Sequence, residues 1–428
     1  MKIAIVGLGY VGLPLCLQFA RSGVNVAGLD IDPRKVGAIN AGRSYIGHIP
    51  GADIQRLVAE GKLSASLDFA LVRGVSAVLI CVPTPLGKNR EPDISYILKT
   101  GEAIAPHLQP GALVVLESTT YPGTTENELR GVLERGSGMI AGRDFHLAYS
   151  PEREDPGNPG SRVADIPKIV GGLTPASLEK ASALYRIAVK TVVPVSSCRV
   201  AEAAKLLENV FRGVNIALVN ELKVVYAAMG IDVWEVIAAA RTKPFGFMPF
   251  FPGPGYGGHC IPIDPFYLAW KARQSGQETR FVELAGEVNA AMPRYVVGRV
   301  AEALQAAKKS LAGSRVLLLG LAYKANVDDD RESPGYQLMD LLTAAGAQVA
   351  YHDPHVPVIR PSREHSAWAG ARSVPWDRAT ISGFDVVLIS TAHEAVDYQQ
   401  LADWARRIVD TRNIMAGRRT GSGKVWKA

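Results

Sequence analysis

The chain opens on a short apolar run that ends in glycines at a spacing few backbones can use. Lys2-Ile3-Ala4-Ile5-Val6 leads directly into Gly7-Leu8-Gly9-Tyr10-Val11-Gly12, and a helical pattern follows from Leu13 to Arg21, ending at Gly23. A run of this length and polarity suits a strand buried on both faces of a parallel sheet. In such a turn the first glycine permits the tight bend, the second lets the backbone approach a pyrophosphate, and the third allows close helix–strand packing. The next apolar run, Val24 to Leu29, ends in Asp30, eighteen residues after Gly12. With 42 glycines in the chain, the spacing alone says little. The strand before it, the helix after it and the acid beyond it turn it into a dinucleotide fingerprint. Gly7, Gly9, Tyr10, Val11 and Gly12 are therefore expected to hold the cofactor phosphates at a helix N-terminus. Asp30 is expected to accept from the adenosine ribose hydroxyls and to repel a 2′-phosphate, which favours NAD. Arg34 and Lys35 nearby are the features that would favour NADP.

The far end repeats this grammar. Ser76 to Val82, Ala112 to Glu117 and Phe145 to Tyr149 read as further strands of the first half. Ser314 to Leu319 is again a strand running into glycine, Tyr336 to Ala345 a helix, Ala347 to His352 a strand ending in Asp353, and Phe384 to Ser390 another strand. Here Gly320-Leu321-Ala322 replaces Gly7-Leu8-Gly9. Between the halves, Val200 to Met229 carries apolar residues on a wide helical face, broken only by Gly213. The expected fold class is α/β, with two Rossmann-like doubly wound domains joined by a central helical region with a long helix. Domain limits are expected at residues 1–199, 200–300 and 301–428. A helix this apolar is expected to be covered by a second copy of the chain.

Composition narrows the function classes. The 428 residues are 47% apolar and 21% charged, the balance of a globular chain with sizeable cores. No uninterrupted apolar stretch is long enough for a membrane helix, and the opening run reads as a first strand rather than a leader. The four cysteines are scattered without metal-ligand spacing, so no metal is expected and a reducing, cytoplasmic setting fits. The net charge of +6 is modest and spread out. It suits small anionic ligands rather than nucleic acid, which would call for a basic stripe interleaved with aromatics.

The chemistry concentrates elsewhere. Residues 246–263 hold nine prolines and glycines and include Gly257-Gly258-His259-Cys260. So many glycines beside one cysteine imply a backbone that must come close to a ligand. Cys16, Cys81 and Cys198 fit the ordinary role of small core residues. Cys260 sits in a loop too rich in glycine for that, and reads as a nucleophile. Lys205 and Asn209 stand four apart and share a helix face. Together they suit a site that stabilises an oxyanion and handles a proton. A lysine there could equally run its stem along apolar surface to solvent. Asp264, four residues after Cys260, reads either as a site carboxylate or as the N-cap of a helix over residues 266–272. Glu152 follows a strand, where ligand sites of α/β sheets gather.

The segments Gly7–Gly12, Glu117-Ser118-Thr119, Ser150–Asn158, Lys205 with Asn209, Gly257–Asp264, Lys324, Arg331-Glu332-Ser333 and Asp410-Thr411-Arg412-Asn413 together resemble the UDP-glucose/GDP-mannose dehydrogenase family. The resemblance runs from end to end. It implies an NAD-dependent, four-electron oxidation of a nucleotide-sugar C6 alcohol to the carboxylate, through a thiohemiacetal and a thioester on Cys260. It further implies that Lys205, Asn209 and Thr119 polarise the C6 oxygen and organise a water. Asp264 would support proton transfer, and Glu152 would activate water for hydrolysis. Lys35, Thr84 and Arg331 would join Asp30 on the NAD. The C-terminal domain would hold the nucleotide end of the substrate.

Arg153, Glu154, Lys205, Gly257 and Lys324 are the expected substrate contacts. Glucose-type members carry lysine directly before the aspartate of the cysteine motif, where this chain has Ile263, and an apolar residue in place of Arg153. The expected substrate is accordingly a UDP-linked 2-acetamido sugar, UDP-N-acetylglucosamine first, for surface polysaccharide synthesis; UDP-N-acetylmannosamine and UDP-glucose are the alternatives. Against the specificity argument stands a loop-shaping ion pair between Arg153 and Asp155. The rival classes are a two-electron Rossmann dehydrogenase, which needs neither Cys260 nor a second half, and a non-catalytic nucleotide sensor, which need not keep Lys205, Asn209 and Cys260 together.

Overall fold

A computed structural model of the chain describes residues 1–47, 49–87, 91–154, 163–258, 261–362 and 365–428. The residues fall into two compact units, one formed by Met1–Asn209 with Ile263–Glu278, the other by Val210–Pro262 with Thr279–Ala428.

The first unit is built on eight strands: β1 (Lys2–Val6), β2 (Asn25–Leu29), β3 (Leu63–Ser66), β4 (Ala77–Ile80), β5 (Leu113–Leu116), β6 (His146–Tyr149), β7 (Lys168–Gly172) and β8 (Val192–Val195). Their spatial order is β3-β2-β1-β4-β5-β6-β7-β8, and every pair is parallel except β6 with β7. The apolar runs read as strands are buried on both faces. Ile3 and Ile5 of β1 enter one core, and Ala4 and Val6 enter the other. That two-sided burial is why these strands are continuous rather than alternating. The strand order reverses between β1 and β4, the point where an open α/β sheet leaves a crevice at its C-terminal edge.

The second unit holds a smaller, wholly parallel sheet in the order β10-β9-β11-β12-β13. Its strands are β9 (Arg315–Leu319), β10 (Gln348–His352), β11 (Val386–Ile389), β12 (Ile408–Asp410) and β13 (Val425–Lys427). Val316 and Leu318 face one core, Leu317 and Leu319 the other. Both halves are thus doubly wound, as their common grammar implied.

The central helix spans Cys198–Ala228 and passes unbroken through Gly213, whose glycine costs the helix less than its neighbours contribute by packing. The boundary between the units falls inside it, after Asn209. Residues 246–258 contain no helix or strand, as their proline and glycine content requires.

Candidate functional site

The nucleotide end of the first unit is set by where its glycines can and cannot take a side chain. A Cβ on Gly7 would lie 2.4 Å from the Cys81 carbonyl oxygen, and one on Gly12 only 1.8 Å from that of Gly7. Both glycines are dictated by the packing of β1, β4 and the Gly12–Arg21 helix. Gly9 is different, since a Cβ there would meet nothing within 4 Å. It faces open space at a helix start that no side chain caps. The arrangement fits a pyrophosphate, which that helix end would bind through its N–H groups. Asp30 lies buried at the end of β2. One of its oxygens accepts from Leu8 N at 2.8 Å and from Lys35 Nζ at 3.1 Å, and the other from Asp32 N at 2.9 Å. Arg34 instead forms an exposed pair with Asp32. Thr84 is buried, and its carbonyl accepts from the Tyr267 hydroxyl at 2.7 Å.

Beyond β5 and β6 lies a buried ionic cluster that the sequence reading did not single out. Lys168, the first residue of β7, places its Nζ 2.5 Å from Glu117 and 3.4 Å from Glu152. The Tyr185 hydroxyl donates to the other oxygen of Glu117. Burial works against the Lys168 ammonium, yet the two carboxylates together hold its pKa above the ordinary value. Burial likewise pushes Glu152 up. Lys168, the backbone N–H groups of Glu154 and Arg153, and Lys205 more than offset it, so Glu152 stays below the usual carboxylate range. The signal for Lys168 was in the sequence: a lysine opening the apolar run Ile169-Val170 must carry its own counter-charge.

Lys205, Asn209 and Asp264 are all buried in this same unit. Lys205 does not reach out to solvent. Asp264 opens the Asp264–Gln274 helix but does not cap it, correcting the alternative reading; the capping position is Ile263, with no side-chain bond. The Asp264 carboxylate turns inward instead and accepts from Asn209 Nδ2 at 2.5 Å. Burial raises its pKa to about 7, against the opposing pull of Lys205 and Asn209. Thr119, after β5, is half-buried.

Arg153 is engaged by the chain: its guanidinium pairs with Glu208 at 2.7 Å and donates to the Pro167 carbonyl at 2.7 Å. The half-buried Glu154 donates its backbone N–H to Glu152. Asp155 and the rest of that loop to Asn158, like His259 and Cys260, lie outside the described residues. Cys16, Cys81 and Cys198 are buried core residues, as expected.

In the second unit the glycines of the 252–258 loop meet the chain itself. A Cβ on Gly257 would lie 2.6 Å from Pro334 and 2.8 Å from the Glu332 carbonyl, and one on Gly258 2.8 Å from the Tyr323 ring. At these two positions the protein's own packing requires the absence of a side chain. Lys324 is half-buried, and Arg331 is bidentate with Asp329 at 2.7 and 2.8 Å. In the turn after β9, Asp353 does the backbone work of Asp30. It accepts from Leu321 N at 2.6 Å and Ala322 N at 2.8 Å, and His393 Nε2 occupies it further at 3.0 Å.

Three profiles of one family match along the chain: its NAD binding domain over residues 1–189, its central domain over 199–291 and its UDP binding domain over 317–417. The chain belongs to the UDP-glucose/GDP-mannose dehydrogenase family. It is 36% identical to the UDP-N-acetyl-D-glucosamine 6-dehydrogenase of Pseudomonas aeruginosa over 92% of this chain and 90% of that one. It is 35% identical to the UDP-N-acetyl-D-mannosamine dehydrogenase of Pyrococcus horikoshii over 97% and 96%. A solved structure of UDP-D-ManNAc dehydrogenase from Pyrococcus horikoshii superposes with a TM-score of 0.89 at 32% identity, covering 100% of this chain and 99% of that one. As a member of the UDP-glucose/GDP-mannose dehydrogenase family, the chain is an NAD-dependent nucleotide-sugar 6-dehydrogenase, an oxidoreductase acting on a UDP-sugar. Within that family assignment, the open space at Gly9 and the buried Asp30 are the features of this chain that fit NAD.

Two expectations follow. Asp30→Ala removes a charged acceptor, so NAD affinity should fall by about 10-fold or more, and the preference over NADP should narrow. Fluorescence titration with NADH and NADPH checks this; a wild type that already prefers NADPH contradicts it. For Asp264 the raised pKa means that the carboxylate is lost as pH falls through about 7. The kcat/KM profile should therefore show an acid limb near that pH, and Asp264→Asn should lower activity and lack the limb. A limb that persists unchanged in the variant would assign it elsewhere. Glu202 also sits at about 7, but its carboxylate is taken up by the backbone N–H groups of Gly123 and Thr125 and by the Thr125 hydroxyl.

Proposed function

We propose that this enzyme oxidises the C6 alcohol of UDP-N-acetylglucosamine to the carboxylate in two steps at one site. The observation that carries the chemistry is Asp264, buried against Asn209 in the field of Lys205, with Glu152 held as a carboxylate in the field of the same lysine. Bound NAD supplies a hydride acceptor, and two molecules are reduced per sugar. Lys205, Asn209 and Thr119 hold the C6 oxygen and stabilise negative charge on it. Asp264 takes the hydroxyl proton as the first hydride leaves, giving an aldehyde. The Cys260 thiol adds to that aldehyde, because a bare aldehyde would have to lose hydride to an acylium ion. The thiohemiacetal can lose the second hydride and become a thioester. Glu152 then draws a proton from water, the hydroxide attacks the thioester, and the carboxylate product leaves the thiol free. Gly257 and Lys324 are proposed contacts of the substrate, Lys324 near the boundary between the two ligands, and Arg331, Lys35 and Thr84 are proposed contacts of the NAD.

The choice of a 2-acetamido sugar rests on two positions. Ile263 packs with Tyr121, Leu206 and Tyr267, an apolar cluster where glucose-type relatives place a lysine. Arg153 binds Glu208, the neighbour of Asn209, and so ties the loop after β6 to the helix that holds the catalytic pair. Arg153 and its described neighbours, held in this way, can present hydrogen-bonding groups to the acetamido substituent, and a site built to bond that group rejects a sugar lacking it. We place the reaction in the cytoplasm, in the supply of uronic acids for surface polysaccharide; no helix among the described residues is long and apolar enough to cross a membrane.

We further propose that the enzyme works as a homodimer through its central helix. Val200, Leu207, Phe211, Leu218 and Val225 are each 44–66% exposed. At 100° per residue they fall within a stripe about 40° wide, the pattern of a helix that packs against another.

Each reading has its test. The enzyme should release two NADH per UDP-sugar consumed, and Cys260→Ser should make no acid. One NADH per sugar would reduce the reaction to a two-electron step. Among UDP-glucose and the N-acetylated UDP-glucosamine, galactosamine and mannosamine, the N-acetylglucosamine form should have the highest kcat/KM, and a win for UDP-glucose would remove the argument from Ile263 and Arg153. Leu218→Glu should convert a dimer into a monomer in light scattering, and an unchanged mass would place the interface elsewhere.

A further inference from the structure

Lys223 lies on the central helix, and only 5% of its surface is exposed. Its Nζ makes one hydrogen bond, to the Gly253 carbonyl at 3.0 Å, and stands 5.1 Å from the centre of the Tyr295 ring. No carboxylate among the described residues pairs with it. The charge that acts on it most is another cation, Arg412, which lies against the same glycine: a Cβ on Gly253 would be 2.6 Å from Arg412 Nη1. Arg412 spends its Nε on the Ser390 carbonyl at 2.7 Å. Its two Nη groups carry no hydrogen bond among the described residues. Among the described residues Asp410 is the acid that acts on Arg412, and its oxygens are already taken by Arg412 N at 2.8 Å and Met415 N at 2.9 Å. Asn220, one helical turn before Lys223, fixes the same loop by accepting from Gly253 N at 2.9 Å while donating to Asn289 at 2.8 Å.

A buried ammonium beside a half-buried guanidinium, on one glycine and with most of their donors unspent, is costly unless an anion joins them. Both lie in the second unit, which contains the whole stretch matched by the UDP binding domain profile. A UDP-sugar carries its negative charge on the diphosphate. We propose that Lys223, with Arg412, is the counter-charge that binds the diphosphate of the nucleotide sugar, and that the ammonium is completed only when that anion arrives. This rests on the enzyme acting on a UDP-sugar. In the free protein, burial and Arg412 push Lys223 down to about 7, so a share of the molecules hold a neutral amine near neutral pH. A phosphate oxygen favours the charged form, so binding draws a proton from solvent. Arg412 and the Tyr295 phenol are the titratable groups that face Lys223 among the described residues.

Calorimetry with the full-length enzyme tests this, with UDP, uridine, inorganic pyrophosphate and NADH as probes. Lys223→Met should weaken UDP by about 10-fold or more, as expected for loss of a charge-assisted bond. Uridine and NADH should change less than about twofold, since neither places a diphosphate here. Pyrophosphate should follow UDP. At pH 8, in two buffers of different ionisation enthalpy, wild-type binding of UDP should take up a proton, and the variant should take up less. If Lys223→Met is poorly folded, Lys223→Gln keeps a donor for Gly253 without the charge and should show the same selective loss. UDP affinity within twofold of wild type in a folded variant, or an equal loss for UDP and uridine, overturns the role of Lys223. A wild type that does not bind UDP at all overturns the UDP-sugar reading itself, and this proposal with it.

Discussion

The C-terminal edge of the first sheet depends on one buried lysine. Lys168 joins Glu117, just past β5, to Glu152, just past β6, from the first position of β7. Two carboxylates this deep would repel one another and take up protons without it. Removing one member of such a cluster leaves an uncompensated charge, which costs about 3–5 kcal/mol. The cluster also sets the local chemistry, because the same ammonium holds Glu152 ionised. The one antiparallel pairing of the sheet, β6 with β7, is what brings the lysine to this edge rather than the opposite one.

Charge is placed in opposite ways around two buried lysines, one in each unit. Around Lys205 the balance is closed: Glu152 and Asp264 lie in its field, and Asn209 bonds Asp264. The result is a pair of carboxyls pushed apart, Glu152 kept ionised and Asp264 raised to about 7. Separating two acids in this way lets one remain a carboxylate while the other exchanges a proton near neutrality. Around Lys223 and Arg412 the balance is open, with two cations and no carboxylate paired with Lys223 among the described residues. The first pattern suits the proton transfers proposed for Asp264 and Glu152, the second the anion site proposed at Lys223.

The two halves share a turn and differ in what the turn does. Gly7 and Gly320 both sit at positive φ, at 92° and 84°, after the first strand of their sheets. Asp30 and Asp353 both accept the backbone N–H that follows. In the first half Gly9 leaves space beside that turn. In the second, Ala322 carries a side chain where Gly9 has none, and His393 fills the aspartate's remaining capacity. The same backbone solution is open to a dinucleotide in one copy and closed upon itself in the other.

Local grammar determined much of this. Strands buried on both faces, the fingerprint with Asp30 and the long helix are legible because each depends on neighbours in the chain: apolar period, turn chemistry and short spacing. The tertiary structure decided what depends on residues far apart in sequence. It turned Asp264 away from capping its own helix and toward Asn209, fifty-five positions earlier. It gave Arg153 to Glu208. It showed that Gly257 and Gly258 are glycines because Pro334, Glu332 and Tyr323 press on them. It brought Lys168 to Glu117 and Lys223 to Gly253 and Arg412. A lone lysine in an apolar run says only that a counter-charge must exist. Which group supplies it, or whether a ligand must, is settled by the packing of distant segments, because a buried charge is stabilised only by what lies within a few ångströms of it.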